Sequence, residues 1–222
     1  MTHLAAIDAL VSERHLLGST FYKAWSRGDL SGEALQSYAR QYYRHVAAFP
    51  TYLSAIHSAS DDLATRKMVL ENLIEEEAGS PNHPELWLQF AEGVGASAND
   101  VLAEKAWPET DALVATFRAA CKAGTVEGLA ALYAYESQIP AVCESKIEGL
   151  QAFYGAAEKS EIYRYFTVHL EADSDHAETG RAWLAANLTN ENAPRAQAAV
   201  ESVLSALHAM LDGVCKRHAI AA

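Results

Sequence analysis

The chain has 222 residues, half of them hydrophobic, and carries a formal net charge of −12 from 17 Lys and Arg against 29 Asp and Glu. That length and apolar content allow a sizeable core. The acidic balance excludes a nucleic-acid partner, because gripping a phosphate backbone needs a basic surface.

The three cysteines, Cys121, Cys143 and Cys215, are scattered and form no CxxC pair. They fit a reducing, cytoplasmic setting better than a disulfide framework. The first residues include an early acid, Asp8, and no basic stretch, so no signal peptide is expected. No uninterrupted apolar run approaches the roughly 18 residues that a membrane span needs.

The predicted elements follow in chain order. Leu4, Leu10 and Val11 begin an amphipathic helix that breaks near Leu17-Gly18-Ser19. Ser19 or Thr20 can cap a short continuation, Phe21 to Arg27, ended by Gly28. Ser31 opens the next helix, which passes through Tyr38, Tyr42, Val46 and Phe49 to Pro50 and resumes through Tyr52, Leu53 and Ile56. Asp61 and Asp62 start a helix to Glu77, closed by Ala78-Gly79. Pro81-Asn82-His83-Pro84 reads as a turn leading into Glu85 to Val94, and Pro84 suits a first helical turn. Ser97 to Trp107 is a short helix, and Pro108 opens the segment to Ala123. After Gly124-Thr125, a helix from Val126 runs to about Tyr154, kinked by Pro140. Lys159 to Leu188 is a long helix; Asn190 to Ala193 is a loop; Pro194 opens the last helix, to about Ala219. No stretch alternates as a strand would. About eight helices with short loops predict an all-α, compact bundle, and no Pro/Gly-rich linker divides residues 1–222, so a single domain is expected.

The long helix after Lys159 holds the strongest chemical signal. Stepped by fours and threes, its seam reads Ile162, Phe166, His169, Asp173, His176, Gly180, Trp183. Positions i, i+4 and i+7 lie within about 60° of one another around a helix axis. Two imidazoles and a carboxylate therefore take core positions in a helix whose ends are apolar. A buried carboxylate without compensation is costly, so this set is either a metal site or a buried His–Asp hydrogen-bond network. Mixed imidazole and carboxylate donors suit iron or manganese, and the lack of placed cysteines argues against structural zinc.

Two other seams carry polar breaks. From Val126 onward the apolar positions are Leu129, Leu132, Glu136, Ile139, Cys143, Lys146 and Leu150. Glu136 is a candidate carboxylate ligand. Lys146 is either a neutral core amine, hence a nucleophile or nitrogen donor, or a side chain that snorkels to the bundle end. In Glu75-Glu76-Glu77, periodicity cannot choose between Glu76, which follows Val69 and Leu73, and Glu77, which follows Leu70 and Ile74. His83 lies just beyond, in a Pro-flanked turn.

Glu76 with Asn82-His83-Pro84-Glu85-Leu86-Trp87, then Tyr135-Glu136-Ser137 and Lys146, then His169-x3-Asp173-x2-His176 resemble the CADD family, in order and spacing. That family is a branch of the haem-oxygenase-like dimetal oxidases and oxygenases, related in fold to the PqqC and TenA proteins. The resemblance covers about Tyr22 to Trp183. It implies a haem-oxygenase-like bundle of seven to eight helices, commonly a homodimer. It also implies two metal ions, Fe/Fe or Fe/Mn, held by Glu76, His83, Glu136, His169, Asp173 and His176, and so favours Glu76 over Glu77. The function implied is formation of p-aminobenzoate, the aromatic precursor of folate, from the protein's own tyrosine, with O2 activated at the metal pair and an external reductant. Carried onto this chain, Tyr22 is the ring source, Lys146 the amino donor and Tyr135 a residue placed for radical transfer. Two other readings follow from the same resemblance: a dimetal oxidase acting on a diffusible small molecule, and a death-domain-type interaction protein.

Overall fold

The computed structural model describes residues 2–156 and 161–221, without the side chains of Glu171, Ala172 and Ser174. All regular structure among them is helical: α1 (His3–Glu13), α2 (Thr20–Arg27), α3 (Gly32–Ala59), α4 (Leu63–Ala78), α5 (His83–Gly93), α6 (Ala98–Ala103), α7 (Pro108–Ala123), α8 (Thr125–Glu136), α9 (Ile139–Ala152), α10 (Arg164–Asn187) and α11 (Ala193–Arg217). Short 3-10 turns at Leu16–Gly18 and Glu161–Tyr163 precede α2 and α10.

The helix starts follow local chemistry. Thr2, Ser19, Ser31, Asp62, Asn82 and Ser97 each accept a backbone N–H of their own first turn, satisfying a donor that the helix itself leaves free. Gly28 ends α2 at φ 75°, a left-handed conformation that suits glycine. Asn82 and Glu85 form a reciprocal capping box, which starts α5 at His83, two residues earlier than the turn at Pro81–Pro84 predicts.

Three expectations change. Pro50 does not interrupt α3, which runs through it for 28 residues. The helix expected from Val126 to Tyr154 is two helices, because the Gln138 N–H turns to the Tyr135 carbonyl, out of the helical ladder, and Pro140 sits in the first turn of α9. Buried Gln138 fixes this break by accepting the Leu16 N–H at 2.8 Å. The short helix expected over Ser97 to Trp107 stops at Ala103, since Gln41 captures the segment beyond it. Its amide donates to the Lys105 carbonyl, and its Oε1 accepts from Trp107 N and Thr110 Oγ1. The expected helix start at Lys159 lies outside the described residues; α10 begins at Arg164.

α11 is long and apolar enough to cross a membrane by length and composition alone. It is a core helix of this bundle: Val200, Val203, Leu204, Leu207, Met210 and Val214 are buried, packed against α7 and α8. α3 packs on α4, α5 and α7, and α10 on α8 and α9. The core is strongly aromatic, with Phe21, Trp25, Tyr38, Tyr52, Trp87, Phe90, Phe117 and Phe166 fully enclosed. Each such ring removes some 150–250 Å² from water, a leading share of the folding free energy.

Candidate metal centre and amine cage

Four helices bring the six predicted ligands to one region. Glu76 comes from the last turn of α4, His83 opens α5, Glu136 closes α8, and His169, Asp173 and His176 come from α10. They form two triads whose candidate donor atoms lie within 4.8 Å of one another: Glu76–His83–His169 and Glu136–Asp173–His176. All are buried except His176, which is half-buried. Of the two α4 stripes that periodicity leaves equal, the one ending in Glu76 points inward; Glu76 is buried, whereas Leu70, Ile74 and Glu77 are exposed.

Neighbouring groups orient these side chains. His169 Nδ1 lies 2.6 Å from the Tyr165 carbonyl, so it carries the proton and leaves Nε2 with a free lone pair. The Tyr165 ring stacks on His169, centroids 4.0 Å apart. Asn72, one turn before Glu76, donates from Nδ2 to Glu136 Oε1 at 2.8 Å. His83 Nδ1 sits 3.0 Å from Glu76 Oε2 without hydrogen-bond geometry, and Asp173 Oδ2 is buried with no partner. Buried polar atoms are seldom without a hydrogen bond; an imidazole nitrogen in one triad and a carboxylate oxygen in the other are donors of the kind that hold a cation.

The titration behaviour agrees with that fit. Burial, with help from Asp173, pushes Glu136 up to about 8, and burial also pushes Asp173 up to about 6. Burial lowers His176, yet Asp173 and Glu136 outweigh it and raise the imidazole to about 9. Burial and then His83 push His169 down to about 3, so its imidazole is neutral and can ligate. A raised carboxyl such as that of Glu136 holds a proton that a divalent cation would displace. The donors are nitrogen and oxygen only, a set that suits iron or manganese.

Behind the triads lies Lys146. It does not snorkel: it is 3% exposed, and Nζ donates to Tyr38 Oη at 2.6 Å. The rings of Tyr22, Tyr38, Tyr42, Trp87 and Phe166 surround it, centroids 5.0 to 5.7 Å from Nζ. Burial pushes Lys146 down to about 8, while facing rings favour the ammonium form. Tyr22 and Lys146 meet because α2 and α9 approach closely one turn further along. A Cβ at Gly149 would run into the indole of Trp25, so only glycine allows that spacing. Tyr135 accepts a hydrogen bond from Tyr42 at 2.9 Å, and the Tyr42 ring lies 5.2 Å from that of Tyr38.

Asn72, Tyr38, Tyr42 and Tyr165 are members of this region that sequence reasoning gave no role, and Trp87 enters there only as the end of a motif. Asn72 sits on the Val69–Glu76 stripe, and Tyr165 is four residues before His169. Those spacings are the only signal either offers.

The model of the iron-containing redox enzyme family matches residues 36–210. The chain belongs to that family. Within it the CADD resemblance holds. The 4-aminobenzoate synthase of Chlamydia muridarum is 44% identical over 213 residues, 96% of this chain and 89% of that protein. The 4-aminobenzoate synthase of Nitrosomonas europaea is 42% identical over 219 residues, 94% of this chain and 89% of that one. A domain from Shewanella denitrificans with a haem-oxygenase-like fold superposes with a TM-score of 0.80 at 19% identity, over 96% of this chain and 90% of that one. The bundle is haem-oxygenase-like.

Proposed function

We propose that this chain forms p-aminobenzoate as an iron-dependent oxygenase, with Tyr22 as the source of the ring and Lys146 as the source of the nitrogen. The observation that carries the reading is the Lys146 cage: an amine with a lowered proton affinity, 5.7 Å from the Tyr22 ring centroid, in a compartment shut off from water. The names of the relatives above supply the product.

Glu76, His83 and His169 would hold one cation, and Glu136, Asp173 and His176 the other, as Fe/Fe or Fe/Mn. Such a pair supplies dioxygen activation, with electrons from an external reductant. The chain's own residues do the rest. Tyr38 keeps Lys146 Nζ in place, and removal from water leaves a useful fraction of the amine neutral and nucleophilic. The Tyr42–Tyr135 hydroxyl contact lets one phenol pass a hydrogen atom to the other, and the rings of Tyr42, Tyr38 and Phe21 lead on to Tyr22. Burial holds Tyr22 well above the ordinary phenol range, so the ring enters the reaction as a neutral phenol.

The test is the mass of the chain after reaction with O2 and reductant. Loss of mass confined to the peptides that contain Tyr22 and Lys146, with at most one product per chain, is the expected result. Product formed by a chain in which both residues are intact sinks the reading. It would favour a second one, a diffusible substrate, for which a cavity of about 260 Å³ beside Glu136 and His176 has room.

A further inference from the structure

The two triads differ in what reaches them. The cavity of about 260 Å³ is lined by Glu136 and His176 of one triad and by no member of the other. Its rim is acidic. Glu71 and Glu75 on α4 and Asp175 on α10 are exposed, and no Lys or Arg among the described residues lines the cavity. Asn72 is buried deeper along the same wall. Its Nδ2 is committed to Glu136, whereas its Oδ1 is enclosed and accepts from nothing. Oxygen ligands therefore follow one another from solvent inward: exposed carboxylates, a neutral amide oxygen, then Glu136. Glu75 Oε2 also sits 3.2 Å from His176 Nε2, linking the rim to the ligand triad.

Glu75 has His176 beside it, and Glu71 and Asp175 add further negative charge; a concave mouth with such an acidic excess concentrates cations and repels anions. A hydrated divalent ion sheds water most readily where replacement oxygens are close together. We propose that this cavity is the port through which divalent metal ions are loaded. Glu71, Glu75 and Asp175 capture the hydrated ion, and Asn72 Oδ1 passes it to Glu136 and His176. The inference rests on the dimetal reading above, since it supplies that centre with its ions. An organic amine is the other cation that could use such a mouth, and competition by a diamine separates the two.

The probe is Co2+, followed by its visible absorption bands during mixing with the full chain freed of metal by chelation. For the wild type, loading slows steeply as ionic strength rises. For the Glu71→Gln/Glu75→Gln/Asp175→Asn variant, loading at low salt is slower by roughly three- to tenfold and less sensitive to salt, with the same Co2+ content at saturation. Asn72→Leu, which keeps the shape and removes the oxygen, slows loading at every ionic strength. A rim variant that loads as fast as a normally loading wild type overturns the port, and so does a lowered final Co2+ content, which would make the rim acids ligands. Protection by a millimolar alkyl diamine at constant ionic strength would assign the mouth to amines instead and equally overturn it. If the triple variant does not fold, the salt dependence of the wild type decides alone: flat loading ends the proposal. A wild type that takes up no Co2+ at all ends the dimetal reading itself, a separate result.

Discussion

The two sides of the candidate centre are opposites. On one side Lys146 lies among five aromatic rings, 3% exposed, with a hydrogen bond to a phenol. On the other, Glu136 and His176 face a cavity with carboxylates at its mouth. The dry side stabilises an amine that would be fully charged in water and limits what a strong oxidant can meet. The other side opens through a mouth lined by exposed acids. The contrast arises from packing: α9 closes on α2 through Gly149, whereas α4 stands away from α8 and α10 around the cavity.

The largest effect should come from removing what both sides share. His169→Ala is expected to lose bound metal and to lower product to background, measured by metal analysis alongside product chromatography. An interaction role would survive that change, and Asp173→Ala as well. Next in size is a break confined to the dry side. Tyr22→Phe and Lys146→Met should each abolish product while the metal content stays at the wild-type level. Loss of metal in either variant would mean that the two sides are not separable.

A third prediction sharpens the dry side through pH. Burial brings Lys146 from 10.5 to about 8. The group is depressed, so the neutral amine accumulates as pH rises through about 8, and the first-turnover rate should climb about tenfold between pH 7 and 9. A flat profile over that range would remove the free amine from the rate-limiting step. The smallest expected effect is from Gly149→Ala. Forcing a methyl against Trp25 should cost about 1–3 kcal/mol, seen as a lower Tm, and should reduce product several-fold with metal content unchanged.

The sequence reveals these two sides unequally. His169, Asp173, His176 and Glu136 are conspicuous because ionisable groups interrupt apolar seams, and every seam position from Leu129 to Leu150 is buried even though the helix divides. Glu76 against Glu77 is undecidable from spacing because α4 is apolar on two faces, one of them exposed at Leu63, Leu70 and Ile74. The division itself is hidden, since a Pro in a periodic stretch signals a kink as readily as a new first turn. The cage is the least legible part. Tyr38, Tyr42, Trp87 and Phe166 fall on core faces where aromatic residues are ordinary packing. Only the fold shows that they turn toward one amine, and Tyr22 enters only through the family resemblance.

The break at Ser137–Gln138 has a consequence of another kind. Ten residues of unbroken helix would fix Glu136 and Lys146 about 15 Å apart along one rod, and any change at one end would be felt at the other. With the break, the ligand ends one helix and the amine rides on the next. The segment carrying position 146 is therefore not tied rigidly to Glu136. If the proposed function holds, a chain with the same six candidate ligands and inert side chains at 22 and 146 would keep its metal pair and have no residue of its own to consume. On the reading proposed above, the distance between a single-use reagent and a catalyst with turnover would then be two side chains.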